Sequence, residues 1–94
     1  MAAKIEVEKI DRLKFRVRIV EPGNATTHDV TVSPGDYAKI AGDKIQPEEL
    51  VRRSVEFLLE REPKESILAR FDLSVISRYF PEYEREIKRR LVQG

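Results

Sequence analysis

The sequence predicts an α+β domain: a three-stranded antiparallel sheet of order 1-2-3, followed by four to five helices packed on one face. Three observations carry this. Apolar residues recur at every second position from Lys4 to Val32, then at helical spacing from Ser33 onward. Pro and Gly cluster where the period breaks, and so mark the element boundaries. The division is residues 1–33 as a β-meander and 34–94 as a helical part, within one domain spanning 1–94.

Ile5 and Val7 alternate with Lys4, Glu6 and Glu8. Phe15, Val17 and Ile19 alternate with Lys14, Arg16 and Arg18, and Val30 and Val32 alternate with Asp29, Thr31 and Ser33. Each run is the pattern of a half-buried strand. The Lys9–Leu13 stretch, with Asp11 at its centre, turns the first strand into the second, and Glu21-Pro22-Gly23-Asn24 precedes the third. The hairpin brings Glu6 and Glu8 within reach of Arg16 and Arg18. A register pairing Val17 with Val30 lets Asp29 meet Arg18 from the other side. Such cross-strand charge pairs contribute about 0.2–1 kcal/mol each.

Ser33-Pro34-Gly35-Asp36 reads as a helix start: a hydroxyl cap, Pro at the first position and an acid in the first turn. Tyr37, Ile40 and Ala41 share a face, and Gly42 ends the helix. Pro47 opens a longer helix to about Arg61. Its stripe is Leu50, Val51, Val55, Leu58 and Leu59, with Ser54 and Phe57 on the borders. Gln46 stands where Ser or Asp would make a better cap. Glu48–Arg52, Glu49–Arg53 and Arg52–Glu56 support the solvent side. Pro63 starts a short helix, Lys64–Arg70. Asp72 caps the next, Leu73–Phe80. The last, Pro81–Val92, carries Tyr83, Ile87 and Leu91 at four-residue spacing, with its acids early and bases late as the helix dipole prefers.

Of the 94 residues, 40% are hydrophobic and 37% charged; 18 Lys and Arg oppose 17 Asp and Glu. The halves are equally even, with eight positive and seven negative charges in 1–47 and ten of each in 48–94. A basic nucleic-acid tail and an acidic mimic are thereby excluded. With no Cys, disulfides, thiolate catalysis and Cys-ligated metal are excluded, and a single His excludes multi-His sites. No apolar run approaches the ~18 residues of a membrane span. The start, MAAKIEVEKID, alternates apolar and charged residues and does not read as a signal peptide. The expected compartment is the cytoplasm, with no cofactor, metal or membrane partner. Asn24-Ala25-Thr26 reads as a turn that happens to match a glycosylation sequon.

His28 is the single histidine, the residue type used most often for general acid–base chemistry. Strand alternation puts it on the face of Val30 and Val32, beside Ile19, while Asp29 and Ser33 point the other way. A nucleophile needs its base within hydrogen-bond reach, so these residues form neither dyad nor triad. Gly35 and Gly42 are helix punctuation rather than a phosphate cradle. Nearly all the carboxylates have a cationic neighbour at helix or cross-strand spacing, and none sits isolated in an apolar run.

Three strings carry resemblances. HDVTVSPGDYAKI…QPEELVRRSVEFLLE resembles the ribbon-helix-helix repressors, whose paired strands read the major groove; the resemblance implies Asp29, Thr31 and Ser33 as readers. It departs in its short first helix, its acid at a reading position and the two strands before the ribbon. ESILARFDLSVISRYF resembles a helix-turn-helix, with Ala69, a turn at Phe71-Asp72-Leu73 and Ser77-Arg78 in the second helix, but Ala69 to Ser74 is one residue short. RRSVEFLLEREPKESILARFDLSVISRYFPEYEREI resembles a family of short uncharacterised prokaryotic α+β proteins. That likeness implies a stand-alone cytoplasmic protein and no particular activity.

The functional expectation is a non-enzymatic binding protein whose partner is another protein or a second copy of itself, with nucleic acid as the alternative partner. The expected contact surface joins Arg16, Arg18 and Thr31 on the outer sheet face to Arg78, Tyr79 and Tyr83 at the Pro-broken corner, since Tyr and Arg are enriched at interface hot spots.

Overall fold

Strand alternation places Phe15, Val17 and Ile19 on one face of the second strand, and in the computed structural model all three are fully buried. Residues 3–42 and 45–93 are described; Met1 and Ala2, the start of the stretch read above for a signal peptide, lie outside them. The elements are β1 (Lys4–Asp11), β2 (Lys14–Glu21), β3 (Asn24–Thr31), α1 (Pro34–Ala41), α2 (Pro47–Leu59), a 3-10 turn (Lys64–Ser66), β4 (Arg70–Asp72), α3 (Ser74–Tyr79) and α4 (Tyr83–Gln93).

The fold class is α+β, but the sheet has four strands in the order β1-β2-β3-β4, and it is mixed. β1, β2 and β3 are antiparallel as expected, with Glu6 opposite Arg18 and Glu8 opposite Arg16. The β2–β3 register differs from expectation: Val17 pairs with His28, and Phe15 with Val30. The reason is the turn. Glu21 pairs with Asn24, leaving Pro22-Gly23 as a two-residue loop with Gly23 at φ 93°, and loop length fixes hairpin register. Pairing Val17 with Val30 would need a loop of residues 22–25.

β4 is the larger correction. The expected helix Lys64–Arg70 is helical only over Lys64–Ser66; the chain then extends, and Arg70–Asp72 pairs parallel to β3, Phe71 beside Val30. A parallel neighbour requires a long crossover, which here carries α1 and α2. A three-residue strand is too short to show a period of two. α3 starts at Ser74 rather than Leu73, and α4 at Tyr83 rather than Pro81.

Ser33 Oγ accepts the Asp36 N–H at 3.1 Å and Gly42 closes α1 at φ 60°, as its cap signals predict. α2 lies against β1, α1 and α4 and buries Leu50, Val51, Ser54, Val55, Phe57 and Leu58. Phe57, read as a border residue, is central: the Phe80 and Tyr83 rings meet it edge-on at 5.9 and 5.4 Å, and the Arg61 guanidinium stacks over it at 3.6 Å. α2 therefore buries two flanks, one toward the sheet and one toward α3 and α4. Among the described residues, no helix is long and apolar enough to cross a membrane.

Gln46 holds the cap position of α2 in extended geometry and makes no side-chain cap bond. Gln46→Ser should raise stability by up to about 1 kcal/mol, read as a higher thermal midpoint; an unchanged midpoint would mean that the helix starts elsewhere.

Candidate functional site

Two surfaces meet at the β4 side of the sheet: the charged outer face, and a groove beneath the edge. On the outer face Lys14, Arg16, Arg18 and Thr31 are exposed, as the alternation requires. The basic row is internally matched. Arg18 meets Glu6 at 3.4 Å, and Arg16 meets Asp29 at 3.6 Å. Asp29 thus reaches Arg16 rather than Arg18, because of the register difference. The Thr31 hydroxyl donates to Asp72 at 2.7 Å, and Asp72 also accepts the Ser74 N–H at 3.0 Å, so it caps the start of α3 as the sequence suggests. Burial pushes the Asp72 carboxyl up, but these two hydrogen bonds outweigh it and hold its pKa below the usual aspartate range.

The Arg78–Tyr83 corner separates into surface and core. Arg78 is exposed and Tyr79 is 69% exposed, whereas Tyr83 is 1% exposed. The Tyr83 hydroxyl lies 2.6 Å from Ser54 Oγ, and Ser54 itself donates to the Leu50 carbonyl at 2.8 Å. Tyr83 therefore donates to Ser54. Burial raises its pKa well above the ordinary phenol value. Tyr83 closes the core against Phe57, and its expected role as a contact residue is corrected accordingly.

His28 is 4% exposed and carries no dyad. Nδ1 lies 2.7 Å from the Leu68 carbonyl, and Nε2 lies 2.8 Å from the Thr26 hydroxyl. A neutral ring with its proton on Nδ1 donates to Leu68 and accepts from Thr26. Both nitrogens are satisfied. Its role is to tie Leu68, 40 residues away, to β3. Lys64 does the same further back. Its ammonium is buried beside the Glu21 and Glu65 carboxylates, whose hydrogen bonds raise its pKa above the usual lysine value.

These ties shape the groove, of about 290 Å³, between the end of α2, the Ser66–Leu68 segment, β4 and α3. Phe71 and Ile76 line its floor, and Leu68 and Tyr79, 51% and 69% exposed, line its mouth. Sequence reasoning found Tyr79 and missed Leu68, because a residue inside a supposed amphipathic helix gives no sign of exposure. Asp29 and Thr31 point outward as the ribbon-helix-helix likeness requires, but Ser33 caps α1. β3 has β2 on one side, and on the other β4 already pairs with Asp29–Thr31, the stretch that a second copy's ribbon would need. Searches of protein families, of curated proteins and of solved structures found no match to this chain.

Tyr79→Ala should change stability by no more than about 0.5 kcal/mol, as at other exposed positions, and Tyr83→Ala should cost about 3–5 kcal/mol; urea denaturation checks both. Since the folded pKa of Asp72 lies below its unfolded value, its contribution is full above that value and fades as pH falls through the folded one. Wild type should therefore exceed Asp72→Asn by a margin that is constant above about pH 5 and shrinks below about pH 4, measured as the urea midpoint against pH.

Proposed function

We propose that the protein is a non-enzymatic, cytoplasmic binding domain whose partner is a polypeptide seated in the Leu68–Tyr79 groove. The observation that carries this reading is the groove's mouth. Two large apolar side chains stand exposed beside a partly open apolar floor, on a chain whose surface is otherwise densely charged. An exposed apolar patch rimmed by polar residues is the usual mark of an interaction surface, and Tyr is favoured at binding hot spots. Arg78 is exposed one residue before Tyr79 but does not line the groove. Arg16, Arg18 and Thr31 flank the site from the outer face, their ionic and hydrogen-bonding capacity largely met within the sheet.

The same pairing argues against nucleic acid as the partner. Phosphate contacts need cations whose charge is available to the backbone, and Arg16 and Arg18 each face a carboxylate. Fluorescence anisotropy with labelled single- and double-stranded oligonucleotides should show negligible binding at ~100 mM salt. A displayed random-peptide library should meanwhile yield binders that Tyr79→Ser weakens. Micromolar oligonucleotide binding, lost in the Arg16→Gln, Arg18→Gln double variant, would reverse this reading.

A further inference from the structure

The two edges of the sheet are finished differently. At the β1 edge, the Arg52 guanidinium reaches across from α2 and donates to the Ile5 carbonyl, blunting the strand as natural edges commonly are. At the β4 edge no such cap occurs among the described residues. The Asp29 N–H donates to the Ala69 carbonyl at 2.8 Å and the Leu73 N–H to the Thr31 carbonyl at 3.0 Å. In a parallel ladder those bonds fix the parity: Ala69, Phe71 and Leu73 turn their backbone groups toward β3, and Arg70 and Asp72 turn theirs away. Two N–H and two C=O groups therefore line the outer edge, directly beside the groove.

The side chains repeat this asymmetry. Phe71 faces inward and lines the groove floor. A strand laid against β4 shares its pleat, so side chains in register with Phe71 point into the groove, between Leu68 and Tyr79. Those in register with Arg70 and Asp72 emerge on the outer face. There the Arg70 side chain is 87% exposed and only 3.9 Å from Asp29, a carboxylate that Arg16 already approaches more closely. Lys14 lines the same shallow depression and has no ion-pair partner among the described residues. Asp72 is engaged by Thr31 and Ser74. With Arg16 counted, three cations thus face the two carboxylates of Asp29 and Asp72 on the outer side of this edge, an excess of one positive charge, with Arg70 only loosely held.

We propose that the groove receives an extended segment of a partner protein, added as a fifth strand along β4, with apolar side chains at alternate positions and an acidic side chain beside Arg70. The proposal rests on the binding function argued above and specifies its mode. Strand addition draws affinity from main-chain hydrogen bonds and specificity from pockets for alternate side chains, and this edge offers both together.

A random nine-residue peptide library displayed on phage, panned on the full chain, supplies the probe; the consensus peptide is then synthesised with a fluorescent label. The consensus should place apolar residues two apart with an acid between or beside them. Leu68→Ser and Tyr79→Ser, both at exposed positions, should each weaken the peptide at least tenfold while leaving amide exchange at Val17 unchanged. Arg70→Glu should do the same, and replacing the peptide's acid by lysine should restore binding. Saturating peptide should slow exchange of the Arg70 and Asp72 amides at least tenfold, and N-methylation of alternate peptide amides should abolish binding in one set and spare it in the other. A consensus with apolar residues three and four apart, with those two amides unslowed, would overturn strand addition and leave the binding function standing. Slowing of the same amides with protein concentration, in the absence of peptide, would make a second copy the occupant and overturn the proposal. No consensus, or one indifferent to Tyr79→Ser, would overturn both readings.

Discussion

Residues 64–72 are held to the sheet by three polar ties spaced four residues apart: the Lys64 ammonium to Glu21, the Leu68 carbonyl to His28, and the Asp72 carboxylate to Thr31. Four-residue spacing is the repeat of a helix, yet only Lys64–Ser66 of this segment is helical and Arg70–Asp72 is strand, because each partner lies on β2 or β3 rather than on the segment itself. Two of the ties involve buried groups, Lys64 and His28, which require partners wherever they are placed. The chain satisfies them only by running alongside β3. From that constraint follow the parallel strand, the burial of Phe71 against the sheet and the position from which α3 departs. Leaving a buried polar partner unmatched typically costs about 1–3 kcal/mol, so the His28–Leu68 tie alone is a substantial force against helical continuation.

The strands and the first two helices were legible because their signals are local and repeated. Alternation over five or six residues named the inner face of β1, β2 and β3, and Ser33, Pro34 and Gly42 marked both ends of α1. What was not legible depends on distance. The register of β3 turns on a two-residue loop that the Pro-Gly-Asn run does not distinguish from a longer one. β4 is three residues long, and the groups that create it lie about forty positions earlier in the chain. His28 was placed on its correct face, but one of its partners is a backbone carbonyl, which no side-chain pattern announces. Tyr79 and Tyr83 look equivalent in sequence; helix phase and the proline before Tyr83 send one outward and the other under Phe57.

The same geometry explains why the proposed binding surface sits where it does. α2 seals the inner face beneath β1 and reaches α4, and Tyr83 and Ile87 are buried with it. On the β4 side, the short α3 covers the edge only in part. Phe71, Leu68 and Tyr79 are left around an opening, with unpaired backbone groups along its upper rim. The charged outer face is a ladder of acid and base rows whose members largely neutralise one another, as cross-strand pairs ordinarily do. Where the rows end, Lys14 has no ion-pair partner among the described residues and Arg70 shares Asp29 with Arg16. Apolar floor, open edge and excess cation therefore coincide at one end of the sheet.

Native-state amide exchange at Asp29 and Leu73 reads the β3–β4 pairing directly, since the two amides donate across it. Both should exchange as slowly as the inner β2–β3 ladder, and His28→Ala should accelerate both while leaving the β1–β2 ladder unchanged. Exchange at Asp29 and Leu73 as fast as at the Gly23 turn would show that residues 64–72 are not fixed to the sheet, and with them would go the edge and the groove.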